Sequence, residues 1–465
     1  MSNNQIQREM RLFSSEPAVR EVAAQLYKSV AKLPIISPHG HVDPRLLLEN
    51  KPFADPAELF VYFDHYVTRL LHANGVPLNE VRVGADPRQA WRHLASNWIK
   101  FAGTASGYWL THVFESLFEI DYPLSAENAD ATYDLISAKL TTAEFLPRAL
   151  FARFGIELLA TTDDPIDSLD AHRALAQVPG FEGKVIPTFR PDLYLDPRVP
   201  NWSVNVEKLI AAAGISGQLS YSKYIEALEN RRAFFKQHGA VSTDHGVFEP
   251  YTQVLDASYA AKLFDSLFAG SASEAEAREF AGHMLGEMAR MSTEDGLVMT
   301  IHAGVYRNHS SATHKRFGPD SGHDIPVRAE FTKNLRPLLE AYGAHPNLTV
   351  ILFSLDETTW GRELAPLAGF YPSVLVGAPW WFLDAPDAAK RFRAAVTDTI
   401  GFYRGSGFID DTRAFLSIPA RHDMARRIDC NFLAELVFEG RISLDQAMQI
   451  ASDLVVAVPR KAFKL

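Results

Sequence analysis

Two histidines one residue apart, His39-Gly-His41, follow the apolar run Pro34-Ile-Ile-Ser-Pro. In an extended chain alternate side chains share a face. Both imidazoles can therefore converge on one divalent cation, and neutral imidazole suits zinc and similar ions. Taken alone, such a pair is also what chance leaves in a chain with 16 histidines. Near the other end, Asp410-Asp411-Thr412-Arg413 offers a carboxylate able to act as ligand or general base. Arg413 adds a positive charge for a developing oxyanion. Helix capping and a surface salt bridge are the plainer uses of the same residues. Thr188-Phe-Arg190-Pro-Asp192 places an arginine suited to bidentate carboxylate recognition, or to an internal pair with Asp192. His302, with Arg307 after it, reads as a third imidazole ligand, a substrate contact or a satisfied core histidine. Trp380-Trp381 can wall a sugar or simply fill the core. Asp64-His65-Tyr66-Val-Thr-Arg69 reads as helical, its polar side overhanging a site or facing solvent.

These residues need rigid elements to bring them together. Eight short apolar runs end in polar or charged residues: Pro34–His41, Ile156–Asp164, Lys184–Asp192, Ala240–His245, Leu297–His302, Leu348–Ser354, Ser373–Trp380 and Gly407–Arg413. Runs this short and apolar read as strands buried on both faces. Helical stripes lie between them, for example Phe331, Leu335, Leu338 and Tyr342. Strand–helix alternation implies parallel βα units, and eight units imply a (β/α)8 barrel, an α/β fold whose active sites lie where its strands end. Strand eight then neighbours strand one, which brings Asp411 to His39 and His41. Residues 45–150 and 193–238 are too long for one crossover and read as helical insertions after strands one and three, the whole of 1–465 being one barrel domain. Gly304–Pro326 is polar, glycine-bearing and without strong period, and reads as a structureless lid or binding loop.

Composition excludes several classes. The chain has 465 residues, 47% hydrophobic and 22% charged, the balance of a protein with a sizeable core. Its net charge of −10 and the absence of a long Lys/Arg run argue against nucleic acid and anionic membrane as partners. The longest apolar stretches, such as Leu348–Leu355, fall far short of the ~18 residues of a membrane helix. No secretory signal is visible in MSNNQIQREMRLF, and a single cysteine, Cys430, fits a reducing compartment, so a cytoplasmic location is expected. A chain of this size can form a homo-oligomer, although no interface stripe stands out. From residues alone, the expectation is a metal-dependent barrel enzyme acting on a small polar anion.

The stretches PHGHVDP, DHYVTR, LATTDDP, FRPD, IHAGVYRN, GPDSG, WWF and DTRAFLS with the following RH occur in this order along nearly the whole chain. Together they resemble uronate isomerase (glucuronate isomerase) of the amidohydrolase superfamily. The resemblance implies interconversion of D-glucuronate with D-fructuronate and of D-galacturonate with D-tagaturonate. It implies one divalent metal, zinc, on His39, His41 and Asp411, with His302 as a further ligand or substrate contact. Asp411 would move a proton from C2 towards C1 through an enediol. Arg413, His65 and Tyr66 would polarise the sugar oxygens, and Arg190 would bind the C6 carboxylate. Arg307 would contact the substrate, and Trp380 and Trp381 would shape its pocket. One departure is Ser37-Pro38, where the family often carries an Asp followed by an aromatic. The competing reading is a metal-dependent hydrolase of an acidic lactone or amide on the same barrel; a non-catalytic carbohydrate-binding barrel ranks last, because the ligand residues are all present.

Overall fold

The computed structural model describes residues 8–465, so part of the N-terminal stretch read above for a signal lies outside the described residues. The apolar runs form an α/β fold built on parallel sheets. One sheet has β1 (Ile35–Ser37), β2 (Ile156–Ala160) and β3 (Lys184–Ile186), in that order. A second has β4 (Ser242–Val247), β5 (Val298–Ala303), β8 (Val350–Ser354) and β9 (Val374–Val376). β6 (Val305–Tyr306) and β7 (Ile325–Pro326) pair as a small antiparallel ribbon. Every residue of β5, β8 and β9 is buried, which is why these segments are apolar throughout instead of alternating.

The two sheets meet at Phe189, which bridges Asp163 on one side and Thr243 on the other. At the far edges, Val376 bridges Gly405, and the His41 amide donates to the Thr412 carbonyl at 3.1 Å. The eighth expected strand, Gly407–Arg413, is not a regular strand: it is an extended, irregular segment. Positive φ at Gly407 (+72°) and Asp411 (+42°) breaks the extended geometry a ladder requires.

Both expected insertions are helical. After β1 the chain passes through a series of helices from Pro44–Glu49 to Pro147–Arg153, packed on edge-to-face aromatics such as Phe60 against Phe114, 5.2 Å between centroids. After β3 come Asp192–Leu195, Trp202–Ala212 and Tyr221–Gln237. Three helices position the site: α1 (His65–Ala73), α2 (Ser311–Phe317) and α3 (Ile418–Phe438). Asp64 caps α1 by accepting from the amides of Tyr66 and Val67 at 2.9 and 3.3 Å, as an N-cap aspartate should. α3 carries buried Arg421 and His422, and Arg426 ties it to the chain before β1 by donating to the Val30 and Ala31 carbonyls.

Gly304–Pro326 is structured, contrary to the expected loop. It is the β6–β7 ribbon with α2 between its strands, and Ser310 caps α2 by accepting from the Thr313 amide. A segment of polar residues with short elements has no long hydrophobic period, so its order was invisible to periodicity. Among the described residues, no helix is long and apolar enough to cross a membrane.

Candidate active site

The chain brings the ends of its strands around one cavity of about 620 Å³, within the range of small-molecule sites. His39 and His41 follow β1, and their rings meet edge to face, 5.4 Å apart. His39 also stacks on His302 of β5, 4.7 Å away. The Nε2 atoms of His39 and His41 lie 3.3 and 2.8 Å from Asp411 Oδ1. Yet that oxygen is buried with no hydrogen-bond partner. His302 Nε2 is likewise buried and unpartnered. The donor atoms of His39, His302 and Asp411 all lie within 4.8 Å of one another. Two imidazoles and a carboxylate converging without hydrogen bonds between them is what a divalent cation requires, so these residues fit one. His41 joins the set through Asp411.

Burial raises the proton affinity of the Asp411 carboxyl, but attraction to His39 and His41 outweighs it and holds the group well below the usual carboxylate range. The left-handed conformation of Asp411, uncommon outside glycine, sends its side chain into the cavity. Its neighbour Asp410 turns away to His422 Nε2, 3.0 Å distant. Ser37 is buried with an unpartnered hydroxyl. His302 is oriented instead from β4: its Nδ1 meets Asp244 Oδ1 at 2.7 Å, and its ring lies flat on Phe353, 4.2 Å away.

The other residues singled out from sequence all line the same cavity. Arg190 Nε donates to Asp192 at 2.9 Å and lies 3.5 Å from Asp244. The internal pair and an exposed edge toward the cavity therefore coexist. Arg413 meets Asp320 at 3.0 Å and Arg307 meets Asp324 at 3.2 Å. Both of these carboxylates belong to the segment after β6, which thus roofs the site. Trp381, at φ +51°, is covered by the Arg307 guanidinium 4.9 Å from its ring. Trp380 is buried edge-on to His302 at 4.6 Å. His65 stacks on Tyr66 at 4.6 Å and meets Trp381 at 5.6 Å.

Sequence reading assigned no role to Asp244, Arg421 or Asp384. Asp244 had a signal, a carboxylate at the end of an apolar run. Arg421 stands in the Arg-His pair that contributes to the resemblance, but without a role, and Asp384 had no signal, because their buried pair, 2.5 Å long, links a helix to a distant turn. Arg421 also stacks 3.5 Å over Trp109 and faces Tyr66 at 5.5 Å, so it fixes the floor beneath α1.

Burial, reinforced by Arg413, pushes the His65 imidazole down to about 3; it is neutral under physiological conditions. Burial likewise lowers His172 and His283 to about 4 each. Unfolded, each would take up a proton below its ordinary value of 6.5. The unfolded chain then binds more protons than the folded one, so stability falls as pH drops from about 6.5 towards 4. Thermal midpoints measured from pH 8 to pH 4.5 should fall below pH 6.5, and His172→Gln should flatten part of that fall. A midpoint constant across this range would contradict buried neutral histidines.

The profile of the glucuronate isomerase family matches residues 13–463. The chain is 49% identical over 460 residues to the uronate isomerase of Corynebacterium efficiens, with 98% of each chain covered. It is 50% identical over 457 residues to that of Rhizorhabdus wittichii, again with 98% of each covered. The crystal structure of glucuronate isomerase from Caulobacter crescentus superposes with a TM-score of 0.95 at 47% identity, over 98% of this chain and 96% of that one.

Proposed function

The chain belongs to the glucuronate isomerase family and is a uronate isomerase, and from that premise we propose how its own residues carry the aldose–ketose conversion. The observation that carries the reading is the convergence of His39, His302 and Asp411 donor atoms within 4.8 Å in the cavity. Those three, with His41, would hold one divalent metal ion, zinc by the chemistry of a mixed imidazole and carboxylate set. Bound there, the cation supplies Lewis-acid polarisation of the sugar oxygens.

Removal of the C2 proton of an aldose leaves negative charge on the C1 oxygen, and that charge needs preorganised positive groups. Asp411 takes the C2 proton and returns it to C1. The C2 hydroxyl loses its proton as the C1 oxygen gains one, so the conversion is balanced with no external reactant. Arg413 faces the developing charge. His65, neutral, and Tyr66, whose phenol burial holds protonated, serve as neutral hydrogen-bonding groups to the sugar oxygens. Arg190 anchors the C6 carboxylate, Arg307 contacts the substrate, and the indoles of Trp380 and Trp381 wall it. The substrates on this reading are D-glucuronate, giving D-fructuronate, and D-galacturonate, giving D-tagaturonate.

We also infer that the two sheets and the extended segment 405–412 close into one (β/α)8 barrel forming a single unit. Support comes from the Phe189 bridges, the Val376–Gly405 bridge and the His41–Thr412 hydrogen bond. Family membership does not favour the lactone or amide hydrolase alternative. Purified protein given each uronate in deuterated water, followed by NMR, should yield the 2-keto sugar. Absence of a 2-keto product from both would contradict the reading.

A further inference from the structure

Asp244 divides its two oxygens between the halves of the site. Oδ1 accepts from His302 Nδ1 at 2.7 Å and from the Thr300 hydroxyl at 3.1 Å. Oδ2 faces Arg190 Nε at 3.5 Å. The residue is 1% exposed, so solvent screens neither contact. Arg190 is shared in turn with Asp192, whose carboxylate is held by the Gly246 amide at 3.1 Å. A buried carboxylate that orients an imidazole by its far nitrogen fixes the tautomer and raises the basicity of the ligating nitrogen. The more of that negative charge the guanidinium draws, the less reaches His302.

We propose that Asp244 is a positioning residue that couples the carboxylate subsite at Arg190 to the metal-holding face of His302, so that a uronate engaging Arg190 tightens the metal. When the substrate carboxylate takes up part of the Arg190 charge, Asp244 turns more fully to His302, and His302 becomes the stronger donor. By linkage, the metal then tightens uronate binding by the same factor. This inference rests on the reading of the site given above.

Zn2+ affinity is measured by competition with a chromophoric chelator, with and without D-glucarate, which carries the carboxylate but no aldehyde to isomerise. Asp244→Asn should weaken Zn2+ binding about 10–100-fold. Arg190→Gln, which touches none of the metal-holding groups, should instead tighten it by a few-fold. That gain should vanish in the Asp244→Asn background. D-Glucarate should tighten Zn2+ about fivefold or more in the wild type and clearly less in either single variant. Should Asp244→Asn fail to fold, the Arg190→Gln and D-glucarate measurements decide alone. Unchanged Zn2+ affinity in a folded Asp244→Asn, or equal tightening by D-glucarate in all chains, would overturn the coupling while leaving the reading of the site intact. A wild type that isomerises uronates yet binds no Zn2+ would overturn the metal reading itself, and the coupling with it.

Discussion

Asp411→Asn should lower turnover of D-glucuronate about 10²–10⁴-fold, the span that positioned general bases typically contribute, while the folded chain survives. Asparagine keeps the shape of the side chain and accepts the same left-handed backbone at φ +42°, which Asn tolerates as readily as Asp. What it removes is the proton acceptor and the negative charge that lies between His39 and His41 Nε2 at 3.3 and 2.8 Å. The comparison variant is Asp410→Asn. Asp410 is adjacent in sequence, but its carboxylate is turned to His422, so its loss should disturb packing more than chemistry. Steady-state rates and circular dichroism of both variants separate the two residues. An Asp411→Asn rate within about tenfold of wild type would remove Asp411 as the base.

Arg421→Met should reduce folding stability by about 3–5 kcal/mol, the usual cost of stripping one partner from a buried ion pair. Arg421 and Asp384 are 2% and 3% exposed at their side chains. Burial already pushes the Asp384 carboxyl up to about 7 against the pull of Arg421, so without Arg421 the carboxyl would rise further. The consequence has a definite sign. With the folded value above the unfolded one, the buried acid is tolerated below the unfolded value. Stability is then lost as pH rises through the folded one. Denaturant midpoints of Arg421→Met should therefore improve on acidification relative to wild type, and Asp384→Asn in the same chain should recover part of the loss at neutral pH. A midpoint equal to wild type would mean the pair contributes nothing. The pair also underlies Tyr66 and Trp109, so weaker substrate binding should accompany the loss.

Much of the site was readable from residue type and position because it lies at the ends of short apolar runs. His39-Gly-His41, His302, Arg190 and Trp380-Trp381 each close such a run and each line the cavity. Run ends carry function in parallel α/β folds because loops there face one crevice. The fold was legible to the extent that buried strands are apolar along their whole length. The eighth run failed that rule: Gly407 and Asp411 take positive φ, a backbone choice that hydrophobic pattern does not encode. The segment after β6 hid its order because Ser310 capping and the contacts of Asp320 and Asp324 with distant arginines leave no periodic trace. Asp244 was visible as a type but not as a role. Its partners Arg190 and His302 lie 54 and 58 residues away, and only strand order makes them neighbours. Arg421 on α3 entered only in the Arg-His pair of the resemblance, and its pairing with Asp384 after β9 was beyond reach for the same reason.

The claim beneath all of this is that residues from β1, β5 and the last extended segment share one cation. Protein stripped with chelator and reloaded with Zn2+ should hold about one equivalent per chain, and anomalous diffraction at the zinc edge should show a single peak between His39, His302 and Asp411. His39→Ala, His302→Ala and Asp411→Ala should each lose most of that zinc while remaining folded. Full zinc content in all three variants, or an anomalous peak elsewhere in the molecule, would contradict it.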